Sequence, residues 1–292
     1  MHSQDYVGRF APTNSGALHL GSLLVAVASF LDARSRGGRW LLRIDDLDTP
    51  RVSKEAERDI LTSLERHGLH WDGKPIHQQE HIHHYQRALK NLADQGHTFP
   101  CTCSRKDIDR YAGCVQGCGA SKAKKQEPYS IRMRVSLVDT DVRDEIQGQL
   151  HEGVCSGAKN VAVWRRDGIP SYPLSVVVDD SIMGVSHIIR GSDLADNTVL
   201  QVFLLEKLGF KRPWYAHIPV VNDRNGEKLS KRDEATTIDN RHPIQNVMWS
   251  MQLLGMDPPQ GLALEELLDW GIEHWSLENI PSEPSLSSVV SI

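Results

Sequence analysis

The stretch YVGRFAPTNSGALHLGSLLVAVASF, residues 6–30, decides the fold class that this sequence predicts. Residues 6–10 have the aromatic and β-branched character of a strand, and residues 11–16 contain the proline, asparagine and glycine of a turn. An apolar stretch then runs from Leu20 to Phe30, and the basic residues and glycines that follow are typical of a helix end. A strand, a turn and a helix in this order predict an α/β fold. The start of such a helix offers free N–H groups and a partial positive charge, which suit a phosphate group.

A basic segment near the other end of the chain, Lys228-Leu229-Ser230-Lys231-Arg232, predicts the second half of the same site. Residues 222–226 before it are typical of a turn, so the segment is expected on a loop. By itself such a segment is more often a solvated basic loop, since short basic runs are common. His19 adds a hydrogen-bond donor at the helix start, and Gly21 allows a ligand to approach the backbone closely. The two segments together predict one nucleotide site built from distant parts of the chain.

Several short motifs resemble those of a known family when they are read in order along the chain. They are Phe10-Ala11-Pro12-Thr13, Leu18-His19-Leu20-Gly21-Ser22, Leu42-Arg43-Ile44-Asp45-Asp46-Leu47-Asp48, residues 172–180, residues 187–194 and residues 228–232. This combination resembles the signatures of class I aminoacyl-tRNA synthetases, and the glutamate subgroup fits best. The chain departs from the subgroup's usual pattern at Thr13, where serine is usual, and at Asp45, where glutamate is usual. Ser22 replaces the last histidine of the class I signature, as is common in this subgroup.

The resemblance implies the fold and its division into domains. The expected fold is α/β, with a Rossmann-like catalytic domain, an inserted subdomain that contains zinc, and a short helical C-terminal remnant. Residues 1–100 are expected to form the first half of the catalytic domain, and residues 101–190 the insertion, with the zinc site and part of the glutamate pocket. Residues 191–240 are expected to form the second half with the lysine loop. Residues 241–292 are expected to form a short helical region without an anticodon-binding domain.

The resemblance also implies roles for individual residues. The residues expected to bind glutamate are Arg9, Thr13, Asp45, Tyr172 and Arg190. The two arginines would hold carboxylates, since a guanidinium forms a planar fork, and Asp45 would face the α-amino group. The residues expected to bind ATP, which Mg²⁺ would accompany, are His19, Gly21, Ser22 and Lys231. The catalytic residues would be His19, Lys228 and Lys231, which stabilise the phosphates as pyrophosphate leaves.

The length of the chain distinguishes two activities within the subgroup. Members that charge the 3′ end of a tRNA continue after the lysine loop into a large anticodon-binding region, for which residues 233–292 are too few. A shorter branch activates glutamate with ATP in the absence of tRNA and transfers it to the queuosine base at the anticodon wobble position of tRNA(Asp). That activity is expected here, with ATP, L-glutamate and queuosine-containing tRNA(Asp) as partners. The alternatives are a truncated enzyme that charges a tRNA 3′ end, an adenylate-forming ligase with a non-RNA acceptor, and a non-catalytic regulatory paralogue.

Four of the five cysteines lie close together, at Cys101, Cys103, Cys114 and Cys118, whereas Cys155 stands apart. In an intracellular chain this clustering favours a metal over disulfides. Four thiolates close a tetrahedral zinc site and leave no open position, so the site would be structural. The family's zinc site resembles this arrangement, although tyrosine often stands where this chain has Cys114. One structural Zn²⁺ per chain is therefore expected, and inert cysteines are the alternative.

Composition and charge narrow the class of protein. A chain of 292 residues with 39% hydrophobic content can bury a large core, and a net charge of −5 argues against indiscriminate binding to nucleic acid. No run approaches the ~20 apolar residues of a membrane helix, and no leader-like segment precedes Tyr6. A cytoplasmic monomer without membrane contact is expected. Basic segments that could be solvated or could contact an RNA backbone are residues 122–125, Arg165-Arg166 and Lys211-Arg212.

Hydrophobic patterns predict the remaining elements. Strands are expected at residues 39–44, 131–135 and 175–178, and helices at residues 53–67, 81–93 and 194–208, the last with Asp193 as N-cap. The histidines His77, His81, His83 and His84 are interpreted as an exposed polar helix face rather than a metal site, because no carboxylates near them complete a ligand set.

Overall fold

The computed structural model describes residues 6–104, 106, 108, 128–135, 141–150, 160–222 and 237–287 of the chain. The helices within these residues are α1 (Leu20–Ser35), α2 (Lys54–Arg66), α3 (Ile82–Asp94), α4 (Tyr172–Ile182), α5 (Ala195–Leu208), α6 (Pro243–Leu253) and α7 (Leu264–Glu273). The strands are β1 (Val7–Phe10), β2 (Arg39–Ile44), β3 (Ile76–His77), β4 (Thr98–Cys101), β5 (Ser130–Met133), β6 (Val142–Asp144), β7 (Gly148–Leu150), β8 (Val161–Trp164), β9 (His187–Gly191), β10 (Trp214–Ile218), β11 (Val220–Asn222) and β12 (Ser285–Ser287).

The central strands are parallel, and their order reverses beside β1. Strand β1 pairs with β2, β2 pairs with β3, and β9 pairs with β10, in each case in parallel. Ser186, directly before β9, donates its backbone N–H to the carbonyl of Val7 over 2.9 Å, and its hydroxyl accepts the N–H of Val7 over 2.9 Å. The spatial order is therefore β3, β2, β1, β9, β10. Such a reversal leaves a crevice at the carboxyl ends of β1 and β9, where open α/β sheets bind their ligands.

Helix α1 connects β1 to β2 and is buried on nearly all sides. Its residues Leu23 and Leu31 share one core with Val247 of α6, Met251 of α6 and Leu267 of α7. A helix that packs against both a sheet and two other helices needs apolar residues around its whole circumference, which explains the unbroken apolar stretch in the sequence. The two C-terminal helices thus belong to the same core as the helix whose first residues reach the crevice.

Helix α4 lies between α3 and α5 in a second core. Tyr85 of α3, Leu174 of α4 and Phe203 of α5 are buried in the same cluster. Strands β4, β5 and β8 form an antiparallel sheet beside these helices. This packing places the last turns of α4 next to β1 and β2, so that Asp179 and Asp180 reach side chains of the central sheet.

The predicted strand at residues 39–44 and the predicted helices at residues 53–67 and 81–93 are confirmed by β2, α2 and α3. The prediction of a strand at residues 175–178 is wrong, because these residues lie within α4, which has Pro173 in its first turn. A short run of apolar residues that is buried on every side has no period that separates a strand from a helix. Asp193 is not an N-cap either. It lies in a 3-10 turn, and α5 begins after Leu194, whose side chain makes no capping bond.

The described helices are short in relation to a lipid bilayer. The longest of them, α1, has 16 residues. Within the described part of the chain, no helix combines the length and the apolar character that a membrane crossing needs.

Candidate active site

A pocket of about 370 Å³ lies at the carboxyl ends of β1, β2 and β9, where the strand order reverses. Its walls come from the turn after β1, the start of α1, the residue after β2, the start of α4 and the end of β9. The predicted ligand-binding residues that line it are Arg9, Thr13, His19, Gly21, Ser22, Asp45, Tyr172 and Arg190. The fold therefore brings residues from distant parts of the sequence to one cavity.

Residues at the start of α1 are fixed by hydrogen bonds to one another. Nδ1 of His19 accepts the backbone N–H of Ser22 over 3.2 Å, and Nε2 of His19 lies 2.9 Å from the hydroxyl of Ser22. His19 is thus the N-cap of the helix, in an extended backbone conformation. Since Nδ1 accepts, Nε2 carries the proton. The expectation of free N–H groups at this helix end is wrong for Ser22, whose N–H is already engaged by His19.

A line of alternating charges lies on one side of the pocket, and its members Arg9, Arg43 and Asp45 belong to the lining. Asp180 accepts from Nε and Nη2 of Arg9 over 3.1 and 3.4 Å, and from Nη1 of Arg43 over 2.7 Å. Arg43 in turn donates through Nε to Asp45 over 2.6 Å. The side chains of Arg9, Arg43 and Asp180 are at most 5% exposed, so water screens these pairs little. The line holds Arg9 and Asp45 in fixed positions on the pocket wall.

Asp179, the neighbour of Asp180 on α4, has partners of its own. It accepts from the amide of Gln78 over 2.6 Å, from the hydroxyl of Tyr85 over 2.7 Å and from Nδ1 of His81 over 2.9 Å. The bond to Asp179 raises the pKa of His81. His81 is only 16% exposed, and Nε2 of His77 lies 2.9 Å from a carboxylate oxygen of α2. The interpretation of the histidines as a solvated helix face is therefore wrong for these two, because their partners come from distant elements.

Arg190, in β9, is a buried cation with neutral partners. It donates through Nη1 to Gln201 over 2.8 Å, through Nη2 to Thr198 over 2.7 Å, and through Nε to Nε2 of His217 over 2.9 Å. Its guanidinium also lies 5.4 Å from the ring centre of Tyr215. The residue is 4% exposed, and the ion pairs found within the described residues do not include it. Burial lowers the pKa of Arg190. A cation in this setting is suited to bind an anion that enters the pocket.

Burial and charge set the protonation of the two aspartates on the charged wall. Burial raises the pKa of Asp45 to about 6, although Arg43 acts in the opposite direction. Burial also acts to raise the pKa of Asp180, but Arg9 and Arg43 outweigh it, so that this pKa is lowered. Both carboxylates are ionised at neutral pH, and Asp45 is the one that gains a proton in mildly acidic solution.

Other predicted residues lie outside the described part of the chain. They are Lys228 and Lys231 of the lysine loop, Cys114 and Cys118 of the cysteine set, Cys155, and the basic run at residues 122–125. Of the remaining cysteines, Cys101 ends β4 and is fully buried, and Cys103 packs beside it. Within the described ranges, no group of three or more His, Cys, Asp or Glu side chains is arranged to hold a metal.

The family described as tRNA synthetases class I (E and Q), catalytic domain, matches residues 6–261. The chain belongs to this family. The match begins directly before β1 and includes every segment that lines the pocket. The α/β fold class expected from the first 30 residues is confirmed by this family and by the parallel strand order.

Relatives within the family match nearly the whole chain. The protein named glutamyl-Q tRNA(Asp) synthetase of Pseudomonas fluorescens is 40% identical over 96% of this chain and 95% of its own length. The protein of the same name from Thiobacillus denitrificans is 40% identical over 97% of this chain and 98% of its own length. The one from Pseudomonas aeruginosa strain PAO1 is 39% identical over 96% of both chains. The likeness to the branch of that name, suggested by the motifs and the length, is thereby confirmed.

Solved structures of the family share the fold. The crystal structure of the glutamate-tRNA synthetase of Elizabethkingia anophelis superposes with a TM-score of 0.80 at 23% identity. It matches 97% of this chain, which corresponds to 68% of the longer enzyme. A glutamate tRNA ligase of Elizabethkingia meningosepticum, solved in complex with its amino acid, gives the same TM-score and identity.

Sequence reasoning missed the residues that hold the pocket in shape. Arg43, Asp179 and Asp180 stand in the quoted motifs, but nothing in the motifs indicates what they contact. An available signal was the occurrence of charged residues inside apolar, buried runs, since buried charges require partners. Asp144 and His217, which lie behind Arg190, gave no such signal. Their contact depends on packing between distant segments.

Proposed function

We propose that this protein activates L-glutamate with ATP, in the absence of tRNA, and transfers it to the queuosine base of tRNA(Asp). The observation that carries the proposal is the charge pattern of the pocket. Arg9 and Arg190 line it together with Asp45. Glutamate has two carboxylates and one ammonium group, to which Arg9, Arg190 and Asp45 are complementary. The lining also contains Arg43, which is paired with Asp45 and Asp180, and Asp193. The shared name of the near-full-length relatives supports the acceptor.

The binding roles follow from the charges. Arg190 would bind one carboxylate of glutamate, because it is the cation on the pocket wall whose described partners are all neutral. Arg9 would bind the other while Asp180 holds its guanidinium in place. Asp45 would bind the ammonium group, with Arg43 fixing its orientation. Thr13 and Tyr172 would supply hydroxyl groups at the pocket entrance.

Activation would take place at the start of α1. The α-carboxylate of glutamate attacks the α-phosphorus of ATP, the new P–O bond forms, and pyrophosphate leaves. ATP would lie against His19, Gly21 and Ser22, with Lys228 and Lys231 of the lysine loop beside the phosphates. The Mg²⁺ that accompanies ATP would neutralise part of the phosphate charge.

Transfer requires a second opening to the adenylate, which a neighbouring cavity of about 390 Å³ would supply. It shares Thr13, Asp45 and Tyr172 with the first pocket, and its outer wall includes Arg51 and Arg165. A queuosine hydroxyl would enter here and attack the glutamyl carbonyl, with release of AMP. The two arginines would contact the RNA phosphates near the flipped-out base.

We propose that the chain also binds one structural zinc ion. Cys101 and Cys103 pack beside each other at the end of β4, as two ligands of one metal must. Arg166 donates to the carbonyls of Thr102 and Cys103, which fixes the backbone between and after the two thiols. With Cys114 and Cys118 they would form a set of four thiolates that suits zinc.

We also propose an oligomeric state, a location and a division into domains for the whole chain. It would work as a cytoplasmic monomer. Residues 1–100 and 191–240 would form the two halves of the catalytic domain around an insertion at residues 101–190, and residues 241–292 would not read the anticodon. Within residues 241–292, helices α6 and α7 would stabilise α1 by packing against it in the main core.

Exchange of labelled pyrophosphate into ATP tests the activation step. The protein alone, without RNA, is expected to catalyse exchange that depends on glutamate and not on aspartate. Arg190→Gln should raise the KM for glutamate roughly 10- to 100-fold, which corresponds to the loss of a bond to a charged group. Arg212→Gln, which changes an exposed arginine, is the matched control and should leave the KM unchanged. Absence of glutamate-dependent exchange in the wild-type protein would contradict the proposal.

A further inference from the structure

A fully buried histidine lies behind Arg190, on the side away from the pocket. His217 of β10 is 0% exposed and does not line the pocket. Its Nε2 accepts Nε–H of Arg190 over 2.9 Å, and its Nδ1 lies 2.6 Å from Oδ2 of Asp144. Asp144 is also fully buried. A continuous line of hydrogen bonds therefore connects Asp144, His217 and Arg190.

The donors and acceptors in this line allow one assignment of protons. Burial acts to raise the pKa of Asp144, but its bond to His217 outweighs this and lowers the pKa, so Asp144 is an acceptor only. Nδ1 of His217 must therefore carry a proton. Nε–H of Arg190 is a donor, so Nε2 of His217 must present its lone pair. Burial lowers the pKa of His217, which agrees with a neutral ring. His217 is thus a neutral imidazole in the Nδ1–H form.

Asp144 is itself anchored by the backbone. Its Oδ1 accepts the N–H groups of Ile146, Gln147 and His217 over 3.0, 2.9 and 3.1 Å. Four donors from the turn after β6 and from β10 therefore hold one carboxylate. Such a carboxylate can fix both the tautomer and the ring orientation of the histidine that it contacts.

We propose that His217 and Asp144 are positioning residues for Arg190, which orient its guanidinium toward the substrate carboxylate. The inference rests on the proposed binding of glutamate by Arg190. Within the described residues, the bonds of Arg190 to His217, Gln201 and Thr198 leave one N–H on each terminal nitrogen. Those two N–H groups can donate to both oxygens of a carboxylate only if the plane of the guanidinium is fixed. The bond from Nε to His217 is the one that fixes this plane near the Cδ end of the side chain.

Two substitutions of His217 separate positioning from packing. His217→Asn places an amide donor where Nδ1 stood, so the contact with Asp144 is kept and the acceptor for Arg190 is lost. His217→Gln places an amide oxygen near the former Nε2, so the acceptor for Arg190 is kept. In pyrophosphate exchange, His217→Asn should raise the KM for glutamate roughly 10- to 100-fold, with kcat and the KM for ATP within about twofold of wild type. His217→Gln should restore most of the loss.

Asp144→Asn provides a second, independent variant. Its amide N–H₂ would face Nδ1, which forces the proton of His217 to Nε2 and places it against Nε–H of Arg190. The KM for glutamate should rise as in His217→Asn, although the substituted residue is farther from the pocket.

The matched control is His67→Asn. His67 is also fully buried, and its two nitrogens contact Ser63 and Asn246, away from the pocket. This variant should lose thermal stability without any change in the KM for glutamate. The inference is overturned if His217→Asn and Asp144→Asn keep the wild-type KM, or if the KM values for glutamate and ATP rise together. A wild-type protein without glutamate-dependent exchange would overturn the proposed function instead.

Discussion

At the scale of single residues, Asp45 is expected to make glutamate binding sensitive to pH. Burial raises its pKa to about 6, while its Oδ1 lies 2.6 Å from Nε of Arg43. Below this pH, Asp45 gains a proton and loses the negative charge that would bind the ammonium group of glutamate. The KM for glutamate in pyrophosphate exchange is therefore expected to rise about tenfold between pH 7 and pH 5, since each pH unit below a pKa reduces the ionised fraction by nearly tenfold.

The variant Asp45→Asn tests whether this carboxylate is the titrating group. Its KM for glutamate should be high at pH 7 and should change little between pH 7 and pH 5. The contact with Asp179 also raises the pKa of His81. A pH dependence that persists in Asp45→Asn would assign the effect to another group, such as His81, and contradict this account.

Asp45 has a shorter side chain than the glutamate that is usual at this position in the family, so its carboxylate reaches less far from the backbone. The family's usual glutamate has one more methylene group than aspartate. In this chain Arg43 holds Asp45 from behind, and Arg43 is held by Asp180. The shorter carboxylate is therefore fixed in orientation.

At the scale of elements, helix α4 is the part of the fold that organises the charged wall. Its last turns carry Asp179 toward α3 and Asp180 toward β1 and β2. The apolar residues 176–178 before them are buried on all sides, which is why the sequence pattern suggested a strand. A helix places adjacent residues about 100° apart around its axis, so two successive aspartates can serve two different sets of partners.

Strand β4 is the element on which the proposed zinc ion would depend. Cys101 at its end is fully buried, and Cys103, two residues further on, is half-buried beside it. Cys101→Ser should remove nearly all zinc from the purified protein and lower its melting temperature, because a structural zinc site stabilises the fold that surrounds it. Metal analysis together with a thermal unfolding scan measures both effects.

The matched control for this substitution is Cys155→Ser, which changes the cysteine outside the expected ligand set. It should retain about one zinc ion per chain and the wild-type melting temperature. Wild-type protein without zinc, or equal melting temperatures for wild type and Cys101→Ser, would contradict the zinc site.

At the scale of the whole molecule, the sequence pattern alone predicted the fold class, whereas the resemblance to the family supplied the candidate residues that line the pocket. Strand, turn and helix at residues 6–30 follow local rules, and parallel strands bring their carboxyl ends to one edge of a sheet. The links from Arg9 to Asp180 and from Arg190 to His217 could not be predicted in this way. They join residues of different strands and helices, so they depend on how those elements pack and not on local spacing.

Helices α6 and α7 belong to the part of the chain that the relatives and the longer enzyme both match. The described chain uses α6 and α7 to cover α1, and their residues belong to the main core. A longer enzyme of the same fold is matched over 68% of its length. In this chain the two helices therefore contribute to the core that holds α1, whose start lines the pocket.

Transfer of labelled glutamate to tRNA distinguishes modification of queuosine from charging of a tRNA 3′ end. The protein, ATP and labelled glutamate are incubated with total tRNA from cells that contain queuosine and from cells that lack it, and the label is resolved by tRNA species. We expect label on tRNA(Asp) only when queuosine is present. Label on tRNA(Glu) irrespective of queuosine would contradict it, because the protein would then charge the 3′ end of a tRNA as a conventional synthetase does.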